Sequence, residues 1–131
     1  MDVRLLPAPL RGAVTPPPSK SLLHRQLICL AQAGEFPCPP DPSDDVEATV
    51  RGLWALYHEK APVIDCGASG STLRFLIPIA SLTGQLVTFT GRGRLMERPQ
   101  SVYETLYREQ NLRFEQFPAG LTVEGLSLIH I

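Results

Sequence analysis

Proline placement limits this chain more than any other feature. Pro16, Pro17 and Pro18 stand in a row, and Pro37, Pro39, Pro40 and Pro42 fall within six residues, together seven of the 13 prolines among 131 residues. Proline carries no N–H for a sheet ladder or a helix interior, so each cluster ends one element and leads into the next. Ser19 follows the first cluster as a helix N-cap, and Leu23, Leu27 and Leu30 recur at i, i+4 and i+7, which predicts a helix over 19–33 that Gly34 stops.

The same punctuation organises the rest. Residues 3–6 and 12–15 read as two short strands. After the second cluster, Asp44 with Glu47 three residues on resembles a capping box, with Val46, Val50, Leu53, Trp54 and Tyr57 as the apolar stripe of a second helix. Residues 63–66 form a strand that enters the glycine-rich turn at Gly67. A third helix over 71–82 is apolar nearly all round and is predicted to lie between layers, bent at Pro78. A strand over 86–90, a helix from Pro99 to about Glu109 and strands over 112–117 and 121–123 complete an α/β (α+β) alternation.

Composition narrows the function classes. Hydrophobic residues make up 44% and charged ones 19%, the balance of a globular chain with one modest core. A net charge of −1 offers no general attraction to nucleic acid or an anionic membrane, and no apolar run is long enough to span a bilayer. A cytoplasmic setting is the default expectation. Cys29, Cys38 and Cys66 show no zinc or disulfide spacing and are read as reduced, mostly buried thiols; no metal site is expected.

Local chemistry points to anions. Lys20, Ser21, His24 and Arg25 occupy one side of the first two turns of the first helix, where backbone N–H groups and the helix dipole favour phosphate or carboxylate. Lys supplies a point charge, Ser a hydroxyl donor and Arg a planar fork. Gly67 to Arg74 sets two glycines and three hydroxyl residues between strand and helix, so a ligand could approach the backbone closely; the pattern fits neither a Walker loop nor a dinucleotide fingerprint. Arg98, directly before Pro99, is the best-fixed arginine of the Arg92, Arg94, Arg98 group. Asp44 reads as a cap or as an ion-pair partner that orients Arg74, and His24 as a structural hydrogen-bonding residue.

In order, Pro18-Ser19-Lys20-Ser21-Leu22-Leu23-His24-Arg25, Ser43-Asp44-Asp45-Val46-Glu47-Ala48-Thr49, the run from Cys66 to Pro78 and Leu95-x-Glu97-Arg98-Pro99 resemble the N-terminal part of the 5-enolpyruvylshikimate-3-phosphate synthase family, over about residues 3–125. The resemblance implies two domains built from βαβαββ units, with buried helices and mixed sheets. It implies enolpyruvyl transfer from phosphoenolpyruvate to the 5-hydroxyl of shikimate 3-phosphate, with release of phosphate, on the route to chorismate and the aromatic amino acids. No cofactor is implied, the partners are the two small-molecule substrates, and the full-length form is a monomer.

Carried over residue by residue, the resemblance assigns Lys20, Ser21 and Arg25 to shikimate 3-phosphate, and Lys20, Gly70 and Arg98 to phosphoenolpyruvate, with Asp44 and Arg74 in support. No catalytic residue is assigned within the chain. Ala68 departs from the family, in which a polar residue such as Asn or Glu is common at this place. Residues 1–18 are expected to belong to a domain completed by C-terminal sequence, 19–125 to the first part of the substrate-binding domain, and 126–131 to a tail outside the family pattern. The chain alone is expected to be an inactive fragment. Two other readings are a non-catalytic phosphometabolite-binding module and the sister UDP-N-acetylglucosamine enolpyruvyl transferase, whose first motif has Asn after Lys where this chain has Ser21.

Overall fold

Each proline cluster leads into a helix. In the computed structural model, which describes residues 1–126, α1 spans Lys20–Gln32, with Ser19 at its N-cap accepting from the Leu22 N–H at 3.4 Å. The other end closes as a Schellman motif, in which Gly34 at φ 84° lets its own N–H reach Ala31 O at 3.0 Å and the Glu35 N–H reach Leu30 O at 2.9 Å. The buried stripe is His24, Leu27 and Ala31, so the helix sits rotated from the Leu23, Leu27, Leu30 reading and carries a polar ring inward.

α2 spans Asp44–His58, and its N-cap is Ser43, one residue before the expected Asp44. The capping box does not form because the Glu47 carboxylate turns outward to Arg51 at 2.9 Å, while Asp44, Asp45 and Glu47 all sit in the first turn, where the helix dipole favours them.

α3 spans Gly70–Thr83 and is central. Leu73, Leu76, Ile77 and Ala80 are buried on it, whereas Leu82 is exposed because the last turn emerges from the core. Pro78 lies inside this helix and withholds the N–H that Arg74 O would normally receive; the Tyr103 hydroxyl donates to that carbonyl instead, at 2.7 Å. Tyr103 belongs to α4, Ser101–Glu109, which begins two residues after Pro99, and Tyr107 one turn on donates to Ile77 O at 3.0 Å.

The strands are β1 (Val63–Asp65), β2 (Leu86–Thr90), β3 (Arg113–Phe117) and β4 (Gly120–Glu124), in the order β1-β2-β4-β3. β1 and β2 run parallel and the other pairs antiparallel. Register aligns Ile64 with Phe89, Phe89 with Leu121, Val87 with Val123 and Val123 with Phe114, which forms one apolar face that packs into the core. The alternate positions, among them Thr88, Thr122, Glu115, Arg113 and Glu124, form a polar face. From β1 onward the chain runs βαβαββ, the unit that the family resemblance implies, with α1 and α2 placed before it.

Residues 3–6 and 12–15 form no strand, contrary to expectation, and every residue from Met1 to Leu22 is exposed. Pro7 and Pro9 remove donors beside the first of these segments, and none of the four strands of the sheet pairs with either. Of the segment 126–131, Leu126 donates its N–H to Ser81 O at 3.1 Å; residues 127–131 lie outside the described residues.

Candidate anion-binding site at three helix N-termini

The three helices that start at Ser19, Ser43 and Ser69 are tied together near their first turns by a buried chain of hydroxyls. His24 Nδ1 lies 2.8 Å from Thr49 Oγ1, Thr49 Oγ1 lies 2.8 Å from Thr72 Oγ1, and Thr72 Oγ1 lies 2.7 Å from Ser69 Oγ and 3.1 Å from Asp45 O. Ser69 Oγ also caps α3 by accepting from the Thr72 N–H at 3.1 Å. All four side chains are buried, and a buried hydroxyl without a partner would be costly. Ser43, at the third cap, has a buried Oγ with no hydrogen-bond partner among the described residues.

Cations gather around this chain. Lys20 Nζ lies 3.6 Å from Asp45 Oδ2, a partly exposed pair that contributes at most about 1 kcal/mol and holds the ammonium loosely. Arg25 donates to Ser21 O at 2.8 Å and stacks over the Phe75 ring at 5.3 Å, so its fork is braced by α1 and α3 together. Arg98 reaches Gly70 so closely that a Cβ on that glycine would lie 2.7 Å from the guanidinium Nη1. Gln116 on β3 fixes the turn that carries Arg98 by donating to Met96 O at 2.9 Å and Arg98 O at 3.0 Å. Arg98 takes part in no ion pair among the described residues.

Burial pushes the His24 imidazole below its ordinary value; Asp45 works against that shift, and Lys20 and Arg25 reinforce it. The ring is therefore neutral near pH 7 and adds no fourth charge. Beside the glycine turn, where the Asp65 carboxylate accepts from the Gly67 N–H at 2.8 Å, a cleft of about 340 Å³ is lined by Asp44, Asp45, Arg51, Asp65, Ala68 and Arg92. Ala68 leaves an exposed methyl group there. Cys66 is buried and its thiol is pushed up to about 12, chiefly by desolvation, whereas Cys29 and Cys38 are exposed, so only one of the three thiols is interior. No group of three His, Cys, Asp or Glu side chains suited to a metal ion occurs among the described residues.

Comparison with known proteins gives this cationic edge a context. The family model described as EPSP synthase (3-phosphoshikimate 1-carboxyvinyltransferase) matches residues 40–108, more than half of the chain. The chain belongs to the EPSP synthase family. Among curated relatives named 3-phosphoshikimate 1-carboxyvinyltransferase, it is 38% identical to that of Clostridium kluyveri and 36% identical to that of Clostridium perfringens strain SM101, each over 94% of this chain and 34% of the relative. It is 34% identical to that of Clostridium novyi over 95% of this chain and 36% of the relative. The chain thus spans about a third of the length of the relatives it matches. No solved structure matches it.

Of the residues singled out in the sequence of this EPSP synthase family member, Gly70 and Arg98 touch, and Lys20 joins them through Asp45, whose carbonyl Thr72 binds next to Ser69. Ser21 and Arg25 share the first turns of α1 with Lys20. Asp44 and Arg74 do not pair: among the described residues Asp44 has no ion-pair partner, and the acidic neighbour that meets a cation is Asp45. The reason is register. With Ser43 as the cap, Asp45 turns toward α1, and Arg74 lies instead beside Pro99, Gln100 and Tyr103. Sequence reasoning missed Thr49, Thr72, Asp45 and Gln116; only Thr72, three residues after a cap serine, carried a local signal.

No helix among the described residues is long and apolar enough to cross a membrane.

Proposed function

We propose that this edge binds the two anionic substrates of enolpyruvyl transfer, with Lys20, Ser21 and Arg25 on the phosphate of shikimate 3-phosphate and Lys20, Gly70 and Arg98 on phosphoenolpyruvate. The observation that carries the reading is the Arg98 guanidinium against the bare α-carbon of Gly70 at the start of α3. A fork-shaped cation and a helix N-terminus there address the same small anion, with no Cβ between them. In the reaction, the phosphoenolpyruvate methylene carbon takes a proton and becomes a methyl group, and the 5-hydroxyl of shikimate 3-phosphate attacks C2 and loses its proton. The C2–O bond to phosphate then breaks as the methyl group gives up a proton, which restores the C=C bond of the enolpyruvyl ether. Two polyanions repel one another, and cations held before they arrive lower the cost of bringing the reacting atoms together. Residues 19–125 would form the first part of the substrate-binding domain and residues 1–18 part of another, in a cytoplasmic enzyme; the proposed share of this chain is binding, without turnover.

Gly70→Ala tests the assignment because its two effects have opposite signs. Alanine is the better helix former by up to about 1 kcal/mol, so the variant should be at least as stable as the parent. Its methyl group displaces Arg98 Nη1, and affinity for phosphoenolpyruvate should fall on the order of tenfold. Calorimetric titration of the chain with phosphoenolpyruvate and with shikimate 3-phosphate reads both affinities, and a phosphate-release assay reads turnover. A stable Gly70→Ala variant with unchanged affinity, or a parent chain that binds neither compound, would refute the reading.

A further inference from the structure

The hydroxyl chain beneath the cationic edge has a direction. Thr72 Oγ1 has one proton and three oxygen neighbours: Thr49 Oγ1, Ser69 Oγ and Asp45 O. That proton is directed at the acceptors Ser69 Oγ and Asp45 O, so none is left for Thr49, and Thr49 donates to Thr72. Thr49 has thereby used its proton and accepts from His24, which must carry its own proton on Nδ1. Only this arrangement satisfies all four contacts. Reversing it, with Nδ1 as acceptor, sends the Thr49 and Thr72 protons the other way and leaves Asp45 O without the hydroxyl.

We infer that His24, as the Nδ1–H donor, and Thr49 are positioning residues that lock the first turns of α1, α2 and α3 in one arrangement and so set where Lys20 and Arg25 stand relative to Gly70 and Arg98. The inference rests on the binding role proposed above and deepens it. Its physical basis is that the chain crosses two of the helix–helix contacts at the start of the bundle: His24 to Thr49 joins α1 to α2, and Thr49 to Thr72 joins α2 to α3. Asp45, whose carbonyl closes the chain, also holds Lys20 through its carboxylate. A shift of α1 would carry Lys20, Ser21 and Arg25 with it as a group. Long surface side chains cannot fix their own spacing, and this buried link below them supplies that constraint.

The test compares Thr49→Val, which keeps volume and removes the hydroxyl, with Thr49→Ser, which keeps the hydroxyl. Thr88→Val is the control: it removes a hydroxyl paired with Thr122 Oγ1 at 3.3 Å on the polar sheet face, away from the three helix starts. In the full chain, folded by circular dichroism, Thr49→Val should weaken binding of shikimate 3-phosphate and phosphoenolpyruvate on the order of tenfold. Thr49→Ser should restore both affinities, and Thr88→Val should change stability without changing either. Independently, imidazole 15N shifts in the unmodified chain should report a proton on Nδ1 of His24. A folded Thr49→Val with unchanged affinities overturns the inference, and so does a proton on Nε2, which remains measurable if Thr49→Val does not fold. A parent chain that binds neither compound overturns both this inference and the proposed function; weakening confined to Gly70→Ala, with Thr49→Val unaffected, overturns this one alone.

Discussion

A neutral imidazole buried among three helices makes stability depend on pH in a definite window. Burial lowers the His24 value in the folded state, opposed by Asp45 on α2 and aided by Lys20 and Arg25 on α1, while α3 meets the ring with Phe75. The unfolded chain takes up its proton at about pH 6.5. Between that point and the lower folded value the unfolded state binds more protons, so stability rises with pH in the window, is fully present above about pH 6.5 and is lost progressively below it. Urea midpoints measured from about pH 7.5 down to 5.5 should therefore fall, and His24→Asn, which keeps an N–H donor but cannot titrate, should flatten the slope even if it lowers the midpoints. An equally steep slope in the variant would assign the effect to other groups. The residue level was also the least legible in the sequence. Lys20, Ser21, Arg25, Gly70 and Arg98, the residues proposed above for binding, stand out in the sequence because each sits at a helix start or before a proline, a local signal. The pairing of His24 with Thr49 and of Thr49 with Thr72 spans 25 and 23 residues, and no spacing rule within one element encodes it.

At the level of elements, α3 and α4 solve one problem between them. Pro78 frees a carbonyl at Arg74 in a helix whose interior faces are apolar, and Tyr103 supplies the missing donor from the neighbouring helix. Tyr103→Phe removes that donor and should cost about 1 kcal/mol, read as a drop in the urea-unfolding free energy. Pro78→Ala restores an N–H four residues after Arg74, so the Tyr103→Phe loss should shrink to near zero in that background, which a double-mutant cycle measures as a coupling of about 1 kcal/mol. Additive losses would mean that the hydroxyl and the proline act independently. Elements were read well where punctuation and periodicity agreed: β2 falls on residues 86–90 as read, and α1 stops at Gly34. They were misread where a side chain had two possible partners. Glu47 could close a capping box or pair with Arg51, the i,i+4 pair forms, and the start of α2 moved to Ser43.

For the molecule as a whole, the core is made by the βαβαββ unit together with α1 and α2, and the first 18 residues lie outside it. Val3, Leu5, Leu6, Leu10 and Val14 are all exposed, so the apolar pattern that reads as two strands buries nothing. Periodicity reports which face could be buried, whereas burial itself needs a neighbouring strand, and the sheet offers none to this segment. Deleting residues 1–18 should then change the unfolding free energy by less than about 0.5 kcal/mol, since no core contact is lost. Extending the deletion through Ser19 removes the acceptor for the Leu22 N–H and should cost a further 0.5 kcal/mol or so, because α1 loses its cap. Urea unfolding of the two truncations separates the cases: a loss above about 1 kcal/mol from the shorter deletion would mean that the opening segment packs against the domain in solution. A small loss there with a larger one on removing Ser19 would place the stability boundary of the domain at the cap of α1, one residue before Lys20.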